Sequence, residues 1–232
     1  LIQFLAIAIK SLFAHKLRSS LTMLGIIIGV STVITLMSVG RGAQATITST
    51  FEQLGTNLIY VAPRTPGGGL MGLATMEPTL TIGDAEAIAK SDRLGSIVVA
   101  AECENIVEVV AGGESTTIPI MGIVPECEEV LNYEVAKGQF ISRRHLASHD
   151  MVVLLGDKAA KDLFGSNDPL GQRVKIKGHR FTVIGVLEPK GGAFLGFSLD
   201  DIVLTPITTF QTRLFPQPTI RGENAIREIH IK

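Results

Sequence analysis

The chain has 232 residues with 46% hydrophobic and 19% charged, too apolar for a disordered chain. Two cysteines exclude a disulfide scaffold and a multi-cysteine zinc or iron–sulfur module. A net charge of −1, with no basic patch interleaved with aromatics, gives no support for nucleic-acid binding.

The charge is placed unevenly. Residues 1–50 carry Lys10, Lys16, Arg18 and Arg41 and no acid, leaving 17 basic and 22 acidic residues for 51–232. A basic, apolar head on an acidic body points to membrane attachment. The first residue is Leu, which reads as a processed chain or a fragment.

Residues 1–18 place Ile2, Leu5, Ile9, Leu12, Phe13 and Leu17 on one helical face, with Lys10, Ser11, His15 and Arg18 largely elsewhere. That pattern predicts an amphipathic helix lying in the membrane interface. No charge then occurs between Arg18 and Arg41. The 19 residues Leu21 to Val39 hold twelve large apolar side chains, two Gly and five Ser/Thr. As a helix they span roughly 28 Å, close to the hydrocarbon thickness. Residues 19–40 are therefore expected to form a transmembrane helix in the inner (cytoplasmic) membrane. The basic N-terminal flank puts the N-terminus in the cytoplasm and the body outside. The rival is a cleaved signal peptide, with Ala43-Gln44-Ala45 as its cleavage site. Signal h-regions are about 7–15 residues, shorter than this one. Thr22, Gly25, Gly29 and Thr32 recur at three- and four-residue steps, and Gly25-x-x-x-Gly29 would let another helix approach closely.

Ile47, Phe51 and Leu54 continue the helical spacing without Pro, and Gly55 suits a C′ stop. Residues 41–54 are expected to be a stalk helix that couples span and body. Beyond it come a strand at 58–62, a Pro/Gly-rich loop from Pro63 to Pro78, and a capping box Thr81-Ile82-Gly83-Asp84 opening a helix at 84–90. Strands are expected at 97–101, 106–111 and 115–123, with Gly112-Gly113 as a hairpin turn. A short helix follows Ser142, a buried strand covers 151–155, and a helix covers Asp157–Phe164, ended by Gly165. A hairpin joins 173–176 to 180–187, and a strand at 202–204, a helix at 206–214 and a strand at 225–231 close the chain. Many short strands with few helices give an α+β fold.

Several constellations invite chemistry. Gly67-Gly68-Gly69-Leu70-Met71-Gly72 matches G-x-G-x-x-G, but no helix opens at those glycines, so it reads as a loop open to a partner or substrate. His145 and His149 stand at i, i+4 beside Asp150, a zinc-like spacing without the Glu of H-E-x-x-H or a third ligand. A solvated helix face is the simpler reading. Glu102, Glu104, Glu126, Glu128 and Glu129 read as solvent-facing positions. Cys103 and Cys127 leave two alternatives, a bridge or a pair of buried free thiols. A bridge would close a loop of about 25 residues and stabilise by roughly 3 kcal/mol. No G-x-x-x-x-G-K-[ST] and no G-x-S-x-G occurs, so neither ATP hydrolysis nor a hydrolase is assigned.

The run Lys16 to Val30 resembles the first transmembrane helix of MacB-type (FtsX-like) ABC transporter permeases. Leu54-Gly55-Thr56-Asn57-Leu58 is similar to the motif closing their stalk. Val153-Leu154-Leu155-Gly156, Leu163-Phe164-Gly165, Asp168-Pro169-Leu170-Gly171, Val183-Ile184-Gly185-Val186 and the stretch Phe194 to Pro206, with Asp200-Asp201, resemble their extracytoplasmic core. The resemblance implies four spans with a large periplasmic or extracellular domain between the first two. It implies a porter-like α/β part at 55–100 and 205–232 around an inserted, mostly β, Sabre-like part at 101–204. The partners it implies are an ABC ATPase, separate or fused, that binds ATP and Mg, a second permease copy, membrane lipid and, in a two-membrane envelope, a periplasmic adaptor. This chain itself is expected to carry no cofactor. Motion would pass through the stalk without substrate crossing the permease, for export of macrolides, peptides, toxins or lipoproteins. The chain stops at Lys232 on a returning strand, so three spans are expected beyond it. The alternative functions are a single-pass anchored binding module and a secreted enzyme with a cleaved signal.

Overall fold

The computed structural model describes residues 16–54, 58–63, 79–91, 95, 97–194, 197–216 and 224–232. The interfacial helix expected over 1–18 lies almost wholly outside these residues, as does the glycine loop 67–72. The chain divides into two compact units, Leu1–Ser49 and Thr50–Lys232.

The first unit is dominated by helix α1, Lys16–Leu54, which runs on into the second unit. Apart from half-buried Ser19, its described side chains are exposed all round through residue 45, including Leu21, Leu24, Ile27, Ile34 and Met37. A helix that is apolar on every face needs lipid or other helices around it. The β-branched residues that weaken a helix in water are tolerated in lipid, where every backbone N–H must find a partner within the helix. Thr22, Thr32 and Thr35 donate their hydroxyls to carbonyls at Arg18, Ile28 and Ser31 (3.0, 2.7 and 2.8 Å). Lys16–Ala45, 30 residues, is long and apolar enough to cross a membrane. The described helix reaches Leu54.

The second unit is built on a nine-stranded sheet. Its strands are β1 (Ile59–Val61), β3 (Val99–Ala111), β4 (Glu114–Ile123), β5 (Val135–Gly138), β6 (Val152–Leu155), β7 (Arg173–Ile176), β8 (His179–Leu187), β11 (Val203–Pro206) and β13 (Glu228–Ile231). Two short pairs stand apart: β2 (Leu80–Thr81) with β12 (Ala225–Ile226), and β9 (Ala193–Phe194) with β10 (Phe197–Ser198). The helices are α2 (Ile82–Ala89), α3 (Cys127–Val130), α4 (Arg143–Ala147), α5 (Asp157–Phe164) and α6 (Ile207–Thr209), the last continuing as a wider turn over Phe210–Leu214.

The sheet closes on itself. β3 pairs with β4, β4 with β11, β11 with β6, β6 with β8, β8 with β7, and β7 returns to β3. Two of these contacts are parallel, β4–β11 and β6–β8. The first half of β3 instead carries β13, and β13 carries β1. Alternation fixes which side chains face inward. Val109, Ile120, Val153, Leu155, Ile176 and Phe181 are fully buried in one cluster. The opposite face, with Ile123, Leu154, Leu187 and Leu204, is covered by Cys127, Val130, Tyr133 and Phe140. Both tight hairpins use positive φ, at Gly112-Gly113 and at Lys177-Gly178, the backbone that two-residue turns between twisted strands require.

Most expected elements are present. The capping box forms, with the Asp84 amide donating to Thr81 Oγ1 (3.2 Å) and the Thr81 amide donating to Asp84 Oδ2 (2.8 Å). Two expectations fail. The strand foreseen at 225–231 is divided into β12 and β13, which pair in different sheets. The strands foreseen at 97–101 and 106–111 are a single strand, β3, that runs through Glu102 and Glu104. The two carboxylates are accommodated because Arg227 and His230 lie beside them at β13. β3 also crosses residue 100 and β11 crosses residue 204, the limits of the inserted β part suggested by the resemblance.

Candidate functional site

Two features bear on function: the face of α1 and an ionic cluster beneath β1. On α1, a Cβ added at Gly25 or Gly29 meets nothing within 4 Å. The Thr22 and Thr32 hydroxyls are satisfied by their own helix, so the Thr22–Gly25–Gly29–Thr32 stripe is low and free of unmet donors. Ile47, Phe51 and Leu54 lie in the last turns of the helix backbone, and their side chains are outside the described residues.

The cluster sits where three antiparallel strands meet. His230 of β13 is in register with Tyr60 of β1 and Ala100 of β3, and Glu228 is in register with Glu102. His230 is buried, at 3% exposure, and Glu102 at 8%. The His230 Nε2 lies 3.4 Å from Glu102 Oε2 and 4.0 Å from Glu228 Oε2. Neither ring nitrogen has a hydrogen-bond partner. The Tyr60 ring meets the imidazole edge-on, with centroids 5.0 Å apart. Arg227 Nε lies 3.5 Å from Glu104 Oε2 and 4.0 Å from Glu228 Oε1.

Three carboxylates thus surround one guanidinium and one imidazole. Burial pushes the Glu104 carboxyl up; Arg227 opposes this, and Glu102 and Glu228 add to it. Burial also raises the Tyr60 phenol, with Glu228 and Glu102 reinforcing it. The expectation that Glu102 faces solvent is therefore corrected. Glu128 and Glu129 are exposed as expected, and Glu126 accepts from Arg143 Nη2 (2.7 Å).

The two cysteines are free thiols, so the bridge does not form. They belong to opposite faces of the sheet: Cys103 packs in the inner cluster and Cys127 in the outer one. Their thiols point at the carbonyls of Ala225 (3.4 Å) and Ala101 (3.7 Å). His145 and His149 do not share a helix face, because α4 ends at Ala147. His145 Nδ1 accepts from the Ser142 amide (3.2 Å), and His149 Nδ1 lies 3.5 Å from Thr212 Oγ1. Among the described residues no group of three or more His, Cys, Asp or Glu is arranged to hold a metal ion.

Residues 19–232 match the family of MacB-like periplasmic core domains. The chain belongs to that family. It is 34% identical over 211 residues to the macrolide export ATP-binding/permease protein MacB of Hyphomonas neptunium, covering 90% of this chain and 32% of that protein. It is 34% identical over 210 residues to the MacB of Syntrophobacter fumaroxidans, covering 89% and 29%. The chain thus spans about a third of the length of these curated relatives. In fold it is similar to the periplasmic region of MacB from Actinobacillus actinomycetemcomitans, with TM-score 0.62, 23% identity and coverage of 78% and 76%. It is also similar to the extracellular domain of the noncanonic ABC-type transporter YknZ from Gram-positive bacteria, with TM-score 0.57, 21% identity and coverage of 76% and 83%.

In this MacB-like core two features escaped the sequence reading. One is His230, whose only local signal is the alternation Glu228-Ile229-His230-Ile231 of a half-buried strand. The other is the structural role of Asp200, a residue the resemblance includes without saying what it holds. Its carboxylate accepts from the amides of Lys190 (2.7 Å) and Gly191 (2.9 Å), and its carbonyl from the first amides of α5, at Lys158 (3.1 Å) and Ala159 (3.3 Å). It ties two loops to a helix start and acts on the frame, not on a ligand.

Proposed function

We propose that this chain is the first span, stalk and part of the outer core of a permease subunit in a MacB-type ABC exporter. The observation that carries the reading is the continuity of α1: a helix runs unbroken from Lys16 to Leu54, apolar enough to cross a membrane over Lys16–Ala45 and without an acid until Glu52, directly ahead of the core in the chain. A rigid helix that starts in lipid can carry displacement along its length, at about 1.5 Å per residue. In this reading the N-terminus is cytoplasmic and the core lies outside the inner membrane.

ATP and Mg bind on an ATPase, separate or fused, and its closure moves the stalks of two permease copies. The residues of this chain transmit movement and contact partners. Gly25 and Gly29 seat a neighbouring helix, and Ile47, Phe51 and Leu54 carry the motion. Residues 55–100 and 205–232 form the porter-like part and 101–204 the inserted β part; because β3 and β11 cross both limits, the parts would shift together. The cargo class follows the relatives, whose names specify macrolide export. Peptides and lipoproteins are the other classes, and a periplasmic adaptor completes the path in a two-membrane envelope.

The test is a flexible Gly/Ser insertion after Leu54 in the whole transporter, reconstituted with its ATPase. ATP hydrolysis is expected to persist while export is lost. Export at the parental rate would refute coupling through the stalk.

A further inference from the structure

The ionic cluster under β1 holds a buried imidazole with no hydrogen-bond partner beside a buried carboxylate. Glu102 and His230 are 3.4 Å apart, and both are more than nine-tenths buried. Around them stand Glu228 and Arg227 at β13, Glu104 on β3 and Tyr60 on β1. Beyond Glu102, on the outer face, are Cys127 and Tyr133, both feeling its charge. The nearby cations are committed elsewhere: Lys232 Nζ donates to the Glu129 carbonyl and Asn132 Oδ1 (3.0 Å each), and Lys190 Nζ to the Leu131 carbonyl (2.6 Å).

With the imidazole neutral and every carboxyl ionised, three negative charges face, among the described residues, the single positive charge of Arg227. A buried carboxylate without a cation or donor is costly. A positive charge on the imidazole would lie beside two of the three carboxylates. As an imidazolium, His230 turns a charged N–H donor at Nε2 toward Glu102 Oε2 (3.4 Å) and Glu228 Oε2 (4.0 Å). The strand most exposed to the outcome is β1. It has three residues and, among the described residues, sits at the edge of the sheet and pairs only with β13 through the Tyr60–His230 register.

We propose that a proton held by His230 and Glu102 seats the edge strand β1 on β13, so that the strand following the stalk helix is bound firmly in acid and loosened as the pH rises. The sign follows from linkage: a folded site that holds a proton the opened site releases loses stability with rising pH. The inference concerns the core alone and does not depend on the transport reading.

The test is backbone hydrogen exchange, read by mass spectrometry on the whole membrane protein in nanodiscs across about pH 5 to 8, the range in which an imidazole changes charge. Rates are corrected for intrinsic exchange. The segment 58–62 is expected to lose protection as pH rises, with a limiting slope of about tenfold per pH unit for one linked proton. The β3–β4 hairpin, 105–118, serves as the internal reference and should stay constant. His230→Gln should abolish the pH response of β1. Should that variant misfold, Glu102→Gln keeps the side-chain shape and should flatten the response. Equal protection of 58–62 at every pH, or a response that survives the substitution, would overturn the proposal.

Discussion

The backbone of Gly156 lies directly against the carbonyl of Asp200, so that a Cβ built on Gly156 would run into that carbonyl oxygen. The same carbonyl accepts the first amides of α5, and the Gly156 amide donates to the Ile202 carbonyl (2.9 Å). The strand-to-helix corner is closed by backbone, with no room for a side chain. Gly156→Ala must push the Asp200 loop away from α5. Overpacking of this kind costs about 1–3 kcal/mol. Urea titration of the purified protein should show a lower midpoint with an unchanged slope, whereas an unchanged midpoint would mean that the corner yields freely.

The Lys190 ammonium lies 4.0 Å from the centroid of the Tyr133 ring and donates to the Leu131 carbonyl. Burial brings it from the ordinary 10.5 down to about 8, with Asp200, Glu102 and Glu134 partly offsetting the fall. Between those values the unfolded chain keeps a proton that the folded chain has released. Stability therefore gains an upward slope with pH in that window, and below about 8 the group adds none. Subtracting the stability–pH curve of Lys190→Met from that of the parent should isolate this slope. Parallel curves from pH 8 upward would contradict it.

Both thiols should be inert in the folded protein. Burial pushes the Cys103 thiol up to about 12 and holds Cys127 well above its ordinary value. The thiolate is the reactive form, so a maleimide or Ellman's reagent should find no thiol in the native protein and two after denaturation without reductant. An intact mass lighter by two hydrogens, with no thiol released on denaturation, would show a bridge instead.

The glycine stripe on α1 makes a prediction for assembly. Gly25→Leu with Gly29→Leu fills the low face with branched side chains. If another helix packs there, assembled transporter should fall by about tenfold, equivalent to about 1.4 kcal/mol. Full recovery of the complex by size-exclusion chromatography in detergent would show that this face meets only lipid.

The sequence carried the fold wherever local chemistry decides it. The capping box at Thr81 and Asp84, the helix Asp157–Phe164 and the hairpin across Lys177-Gly178 follow from residues within a few positions of one another. Long-range partners could not be read that way. Glu102 looks like an exposed carboxylate until β13 arrives with His230, and the β3–β7 contact that closes the sheet rests on a register far along the chain. Asp200 has no local signature, because its partners at Lys190, Gly191 and α5 belong to separate loops. Of the expected site residues, Gly25 and Gly29 lie where helical spacing puts them, while the cysteines fall on opposite faces that alternation alone does not assign.

The transport reading depends on α1 crossing the membrane with the core outside. The most direct measurement is labelling of single exposed cysteines in intact cells, or in spheroplasts where an outer membrane is present, with a membrane-impermeant maleimide. Lys161→Cys, on the exposed face of α5, should label without lysis, and Lys16→Cys, at the start of α1, only after permeabilisation. Labelling of Lys161→Cys only after lysis would place the core in the cytoplasm and contradict the account.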